Sequence, residues 1–150
     1  MSEEDFQKEL EIVARILVAS PKARRAVKLK SGSGADYLLE DMATNQPVRL
    51  VNVVRYNWPF GMTNRVFGWA DRIRSLQDTA RRKGNLPASL FCYWADDHWG
   101  VVNVPGPFEL NWAERPHKEN ARLIYTIPLK DFSILVNYAD KSNKILPVPA

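Results

Sequence analysis

The run "VRLVNVVRY", residues 48 to 56, constrains the fold of this chain more than any other stretch. Four of its nine residues are valine, whose branched Cβ is stiff and packs well on a pleated surface, so the segment reads as a strand. Side chains alternate along a strand, which leaves Asn52 as the only polar residue on one face and Arg49 and Arg55 on the other. A strand so apolar on both faces belongs in the middle of a sheet.

Its surroundings build outward from there. "RRAVKLK" alternates into a strand, the hinge "SGSG" interrupts it, "DYLLEDMA" resumes extended structure, and "TNQP" turns the chain into the central strand. This predicts a small antiparallel meander. Before it, "SEEDFQKELEIVARILVAS" places Phe6, Leu10, Val13, Ala14 and Leu17 at helical spacing, with acids in the first turn and Pro21 beyond its end. Glu11 lies at the edge of that stripe, where Arg15 four residues on offers an exposed ion pair.

After the meander, "TNRVFGWADRIRSLQDTARRKG" spaces Val66, Trp69, Ala70, Ile73, Leu76 and Ala80 as a second helix, capped by Thr63 or Asn64 and stopped by Gly84. "SLFCYWADDHWGVVNV" predicts two strands joined by the turn "ADDH". "PGPFELNWAERPHKEN" reads as an irregular or lightly helical connector, "ARLIYTIP" as a strand, "LKDFSILVNY" as a short helix, and the Lys- and Pro-containing end as a fraying tail. The order implies an α/β fold with a mixed central sheet flanked by helices. With 150 residues, 45% of them hydrophobic, one domain with its own core is expected.

Charge is uneven. From Arg15 to Lys83 there are 14 Lys and Arg against 5 Asp and Glu, a balance of +9 that leaves −5 on the remaining residues. Basic charge gathered on one surface attracts polyanions, whereas the same residues dispersed by folding only solubilise. No apolar run reaches membrane-spanning length and the acidic start lacks a basic leader, so a cytoplasmic protein with no membrane partner is expected. The single cysteine, Cys92, excludes a disulfide within the chain and reads as a buried thiol in a reducing compartment.

Several familiar sites are absent. His98, His117 and Cys92 do not have zinc-ligand spacing. "SGSGADY" lacks the Gly-Lys-Ser/Thr ending of a phosphate loop and enters a strand, not a helix. Cys92 inside an aromatic strand is poorly placed as a nucleophile. Trp94, Trp99 and Trp112 are expected in the core before any base-stacking surface.

Helix, basic strand, Ser/Gly hinge, Asp36, central strand and basic helix together resemble the PD-(D/E)xK nuclease superfamily, over residues 3 to about 104. "SGSGADY" is similar to the stretch before the metal-binding aspartate of Holliday-junction resolvases and related small endonucleases. "YWADDHWGVVNV" followed by "IPLKDF" is similar to the later part of compact restriction-type and homing endonucleases. The resemblance implies a restriction-endonuclease-like fold and a metal-dependent DNA endonuclease using Mg²⁺ or Mn²⁺. Carboxylates holding such an ion activate water and neutralise phosphate charge.

By that resemblance Asp36 is the first metal ligand and Glu11 the helix carboxylate. The third position departs from the pattern: the central strand has no Glu-x-Lys, leaving Asn52 as a neutral ligand and Lys28 or Lys30, which share a face of the preceding strand, for the lysine role. Arg24, Arg25, Lys30, Ser31, Ser33, Arg55, Arg65 and Arg72 are candidate contacts to double-stranded or branched DNA, and cutting two strands implies a homo-oligomer. The missing Glu-x-Lys equally implies a nuclease-fold protein that binds DNA without cutting it. Each site residue also has a plain structural account. Asp36 after Gly34 suits the start of a strand, Asn52 suits an amide satisfied within the sheet, and Arg81, Arg82 and Lys83 oppose the dipole of the second helix. A protein-interaction or toxin-related module with scattered basic residues is the third class.

Overall fold

The computed structural model describes residues 2–20, 22–23, 25–41, 43–104, 111–117, 120–135 and 145–147. Helix α1 (Glu3–Ala19) starts behind Ser2, whose hydroxyl accepts the Asp5 N–H, and its first turn carries three acids that complement the helix dipole. Strands β1 (Arg25–Lys28), β2 (Tyr37–Glu40) and β3 (Pro47–Tyr56) form the antiparallel meander. There follow β4 (Arg65–Trp69), α2 (Ala70–Arg82), β5 (Ala88–Trp94), β6 (Trp99–Val104), β7 (Asn111–His117) and β8 (Asn120–Pro128). A 3-10 turn (Leu129–Asp131), β9 (Ser133–Leu135) and β10 (Ile145–Pro147) complete the described elements.

The main sheet has the order β1-β2-β3-β5-β6-β9-β10. Pairing of β3 with β5 is parallel and its other described pairs are antiparallel, so the sheet is mixed, as expected. The central position of β3 follows from its apolar faces. Leu50 belongs to the core layer beneath α2, with Ile73, Leu76 and Leu90, while Val51 belongs to the layer beneath α1, with Ile16, Phe91 and Trp99. Trp94 and Trp99 are core residues, and the side chain of Trp112 lies outside the described residues. Cys92 is buried, and burial pushes its thiol up to about 12, so it stays protonated at neutral pH. Among the described residues no helix is long and apolar enough to cross a membrane.

Four expectations are corrected. Residues 65–69, expected as the first turns of the second helix, are a strand paired with β8 from Arg65↔Pro128 to Trp69↔Ile124. Val66 and Trp69 satisfy helical spacing, yet Val66 is buried and Phe67 exposed, which is strand alternation; α2 begins only at Ala70, without a side-chain cap. The connector contains a strand, β7, and the expected terminal helix is a 3-10 turn followed by β9. The tail expected to fray pairs through β10 with β9, Leu146 opposite Ile134. Strand pairing, in the main sheet for β9 and β10 and in a separate three-stranded sheet of order β4-β8-β7 for β4 and β7, outweighs local preference in each case.

The inward face of α1 also differs from the expected stripe. Phe6 and Leu10 are exposed, whereas Ile16 is buried with Ile12 and Val13 against it. Relative to the predicted stripe the helix is turned by roughly 100°, one residue's worth of rotation. That turn decides which acid reaches the sheet.

Candidate functional site

The hinge between β1 and β2 is packed rather than loose. Gly32 and Gly34 both have left-handed φ, +85° and +91°, where a Cβ is strained. Ser33 Oγ donates to the Ala35 carbonyl (3.0 Å), and Thr79 Oγ1 of α2 lies within hydrogen-bond distance of the carbonyls of Ser75 (2.8 Å) and Ser33 (3.2 Å). The hinge is therefore fastened to α2, and it delivers Asp36 to the start of β2.

Asp36 is held by β3 on both sides. Its backbone N–H donates to the Val51 carbonyl (3.1 Å) and to Asn52 Oδ1 (3.0 Å), while its carboxylate Oδ2 accepts the Val53 N–H (2.7 Å). The Asn52 carbonyl oxygen is thus satisfied by the Asp36 N–H, and the residue at the same time lines the cleft beside Asp36. One Asp36 oxygen and the Asn52 carbonyl oxygen are engaged; Asp36 Oδ1 makes no hydrogen bond among the described residues.

That cleft, about 720 Å³, lies where the hinge meets the first turns of α1 and α2. It gathers Lys28, Lys30, Asp36, Asn52, Arg55 and Arg72, together with Ser31. Asn52 and Arg55 point from opposite faces of β3, as alternation requires, but the cleft wraps the end of the sheet and receives both. Lys30, Arg55 and Arg72 are exposed and pair with no carboxylate among the described residues. Of the other candidate DNA contacts, Ser33 structures the hinge, Arg25 pairs with Glu40 (3.5 Å), and Arg65 hydrogen-bonds Thr126 Oγ1 (3.4 Å). These three do not line the cleft. Arg24 lies outside the described residues.

Glu11 is not brought to Asp36. It pairs with Lys8 (3.4 Å) and with buried Arg15 (3.1 Å), whose guanidinium lies over the Trp99 ring, so the ion pair expected to be exposed has one buried partner. The α1 acids that line the cleft are Asp5 and Glu9, and Glu9, the one that meets Lys28 and Tyr37, lies two positions before Glu11 and roughly 200° round the helix. Its signal in the sequence is its spacing to Ile12 and Ile16, the residues that turn inward. Lys28 Nζ lies 2.8 Å from Glu9 Oε1, and the Tyr37 hydroxyl donates to the same oxygen at 3.0 Å. The Lys28 bond, opposed by partial burial and helped by Tyr37, holds the Glu9 carboxyl below its usual range. A depressed folded-state value gives stability that is present at neutral pH and lost as pH falls through that value. Glu9→Gln should therefore flatten the acid limb of a stability-versus-pH curve; an unchanged acid limb would contradict this ion pair.

Among the described residues no three His, Cys, Asp or Glu side chains gather as a metal cage. Asp36 Oδ1 and Glu9 Oε2 are the carboxylate oxygens of these two cleft acids left outside the hydrogen bonds above. Mg²⁺ is commonly held by one or two carboxylates plus substrate phosphates, so the chemistry of these two groups suits a protein's share of such a site and not a preformed centre.

No protein family matches this chain, and no curated protein matches it. Among solved structures it is similar to Hjc, a Holliday junction resolvase from the archaeal hyperthermophile Archaeoglobus fulgidus. The similarity covers 77% of this chain and 86% of that one, with 16% identity and a TM-score of 0.48. The described order, helix, antiparallel meander, helix and further strands in a mixed sheet, follows the sequence expectation except for β4, which stands between the meander and α2.

Proposed function

We propose that this protein, a single domain acting in the cytoplasm, binds the phosphate backbone of double-stranded or branched DNA in the cleft around Asp36. One observation carries the reading: Lys30 of the hinge, Arg55 of β3 and Arg72 of α2 all line that cleft, which Asp5, Glu9, Asp36 and Asp71 also line, and none of the three pairs with a carboxylate among the described residues. Cations placed this way exchange counterions for phosphates, which gives strong, salt-sensitive binding with little sequence preference.

A second reading, a metal-dependent DNA endonuclease with a degenerate third motif, is supported by Asp36 and Glu9 opening on that same cleft. Asp36 and Glu9 would hold Mg²⁺ or Mn²⁺ with the substrate's phosphates, and the ion would supply water activation and charge neutralisation. Lys28, fixed by Glu9, would place positive charge beside the attacked phosphate, filling the lysine role in place of Lys30. Asn52 contributes no charge and one lone pair of its carbonyl oxygen already accepts the Asp36 N–H, and the central strand has no Glu-x-Lys, which is why binding without cleavage stands first. Cutting two strands would require a homo-oligomer with paired sites.

The two readings separate in one experiment. Gel retardation of linear and four-way DNA at low salt is expected in EDTA and should weaken steeply as salt rises. No retardation of either substrate sinks the proposal. Adding Mg²⁺ or Mn²⁺ then tests cleavage. Nicking by the wild type and not by Asp36→Asn, which keeps an acceptor for the Val53 N–H, establishes the endonuclease; intact DNA in both establishes the binding protein.

A further inference from the structure

A second cavity, about 450 Å³, opens on the α1 side of the sheet beside the C-terminal end of that helix and shares no lining residue with the DNA cleft. Its walls are mainly apolar, with buried Ile16, Leu39, Val51 and Phe91. Across its floor runs one polar row, Arg49, Ser89 and Asn103, on the adjacent strands β3, β5 and β6. Arg49 Nη1 donates to Ser89 Oγ (2.7 Å) and Asn103 Oδ1 (2.9 Å), and Ser89 Oγ donates to Asn103 Oδ1 (3.2 Å).

The charge in this cavity is one-sided. Arg49 and, at the rim, Lys22 line it, no Asp or Glu does, and no described carboxylate pairs with Arg49. Partial burial lowers the Arg49 pKa, yet a guanidinium starts so high that it stays charged. Nη1 is anchored, while Nε and Nη2 make no hydrogen bond among the described residues and neither is shut away from solvent. Those two donors form the fork that takes a planar carboxylate by two parallel bonds. The negative end of α1 lies near the cavity, but its effect fades within a turn and two full cations oppose it.

We infer that this cavity binds a small monocarboxylate with an apolar body, its carboxylate on Arg49 and its body against Ala19, Val48 and Val101, the apolar lining side chains that are only part-buried. Mostly apolar walls with one convergent polar group, at this volume, are the usual make-up of a small-molecule site. Nothing in this assignment depends on the DNA reading.

Isothermal titration with octanoate, octanol, acetate and inorganic phosphate tests it on the unmodified protein. Octanoate is expected to bind on the order of tenfold or more tighter than octanol, from the charge-assisted pair, and tighter than acetate or phosphate, from the apolar walls. Equal binding of octanol, or of phosphate, overturns the inference. Arg49→Met should abolish the preference for octanoate over octanol, and Ala19→Phe, which fills the cavity while leaving Arg49 in place, should remove both ligands. Octanoate binding unchanged by Ala19→Phe in a folded protein places the ligand elsewhere and also overturns it.

Discussion

Gly34→Ala is expected to lower the unfolding free energy by about 3 kcal/mol, combining left-handed strain with overpacking. At φ +91° an added Cβ would collide with Thr79 Oγ1 and stand 3.1 Å from the Ser75 carbonyl. Thr79 has little freedom to yield, being buried, branched at Cβ and bonded toward both Ser75 and Ser33. Gly32 supplies the control, since its φ is +85° with nothing within 4 Å of the added atom, so Gly32→Ala should cost only the backbone strain, about 1 kcal/mol. Urea denaturation of the two variants measures the difference. Equal shifts would mean that the hinge is not fastened to α2, and the account of how Asp36 is positioned would fail with it.

Combined Lys30→Gln, Arg55→Gln and Arg72→Gln substitution is expected to weaken DNA binding on the order of a hundredfold at low salt and to reduce the salt slope by roughly three. All three side chains are exposed and make no ion pair among the described residues, so thermal stability should barely move. The matching control removes Arg81, Arg82 and Lys83. These sit at the C-terminal end of α2, where Arg81 pairs with Asp78 and all three oppose the helix dipole. Fluorescence anisotropy on a short duplex should find the cleft triple far weaker than this control of equal charge. Equal losses would mean that net charge alone attracts DNA and that the cleft has no special part.

The chain's own chemistry made much of this readable in advance, and the failures have specific causes. The central strand was legible because its valines tolerate few other settings, and the meander because its hinge and turn residues punctuate it. Residues 65–69 misled because five residues are too few to separate a period of 3.6 from a period of 2. Strand β9 depends on β6, distant in sequence, while β7 and β10 pair with β8 and β9, which are themselves held by the distant β4 and β6, and that information is not local. Asp36 stood out from its hinge, whereas Glu9 was missed through helix phase: Phe6 and Leu10 suggested an inward stripe that the fold leaves exposed, and the acid at its edge changed accordingly. Asn52 met its structural reading, since its carbonyl oxygen accepts the Asp36 N–H, and it also borders the cleft.

The parallel pairing of β3 with β5 has a temporal side. Strands β1, β2 and β3 are joined by short connections and can zip together early, whereas β5 reaches β3 only after the intervening chain, including α2, has been laid across the sheet. Closing such a loop costs entropy before its contacts repay it. Arg72 rides on that crossover and Arg55 on the strand it must find. A nascent or partly unfolded chain would thus present the meander without an assembled cleft, and the proposed polyanion site would form only once β5 has paired with β3.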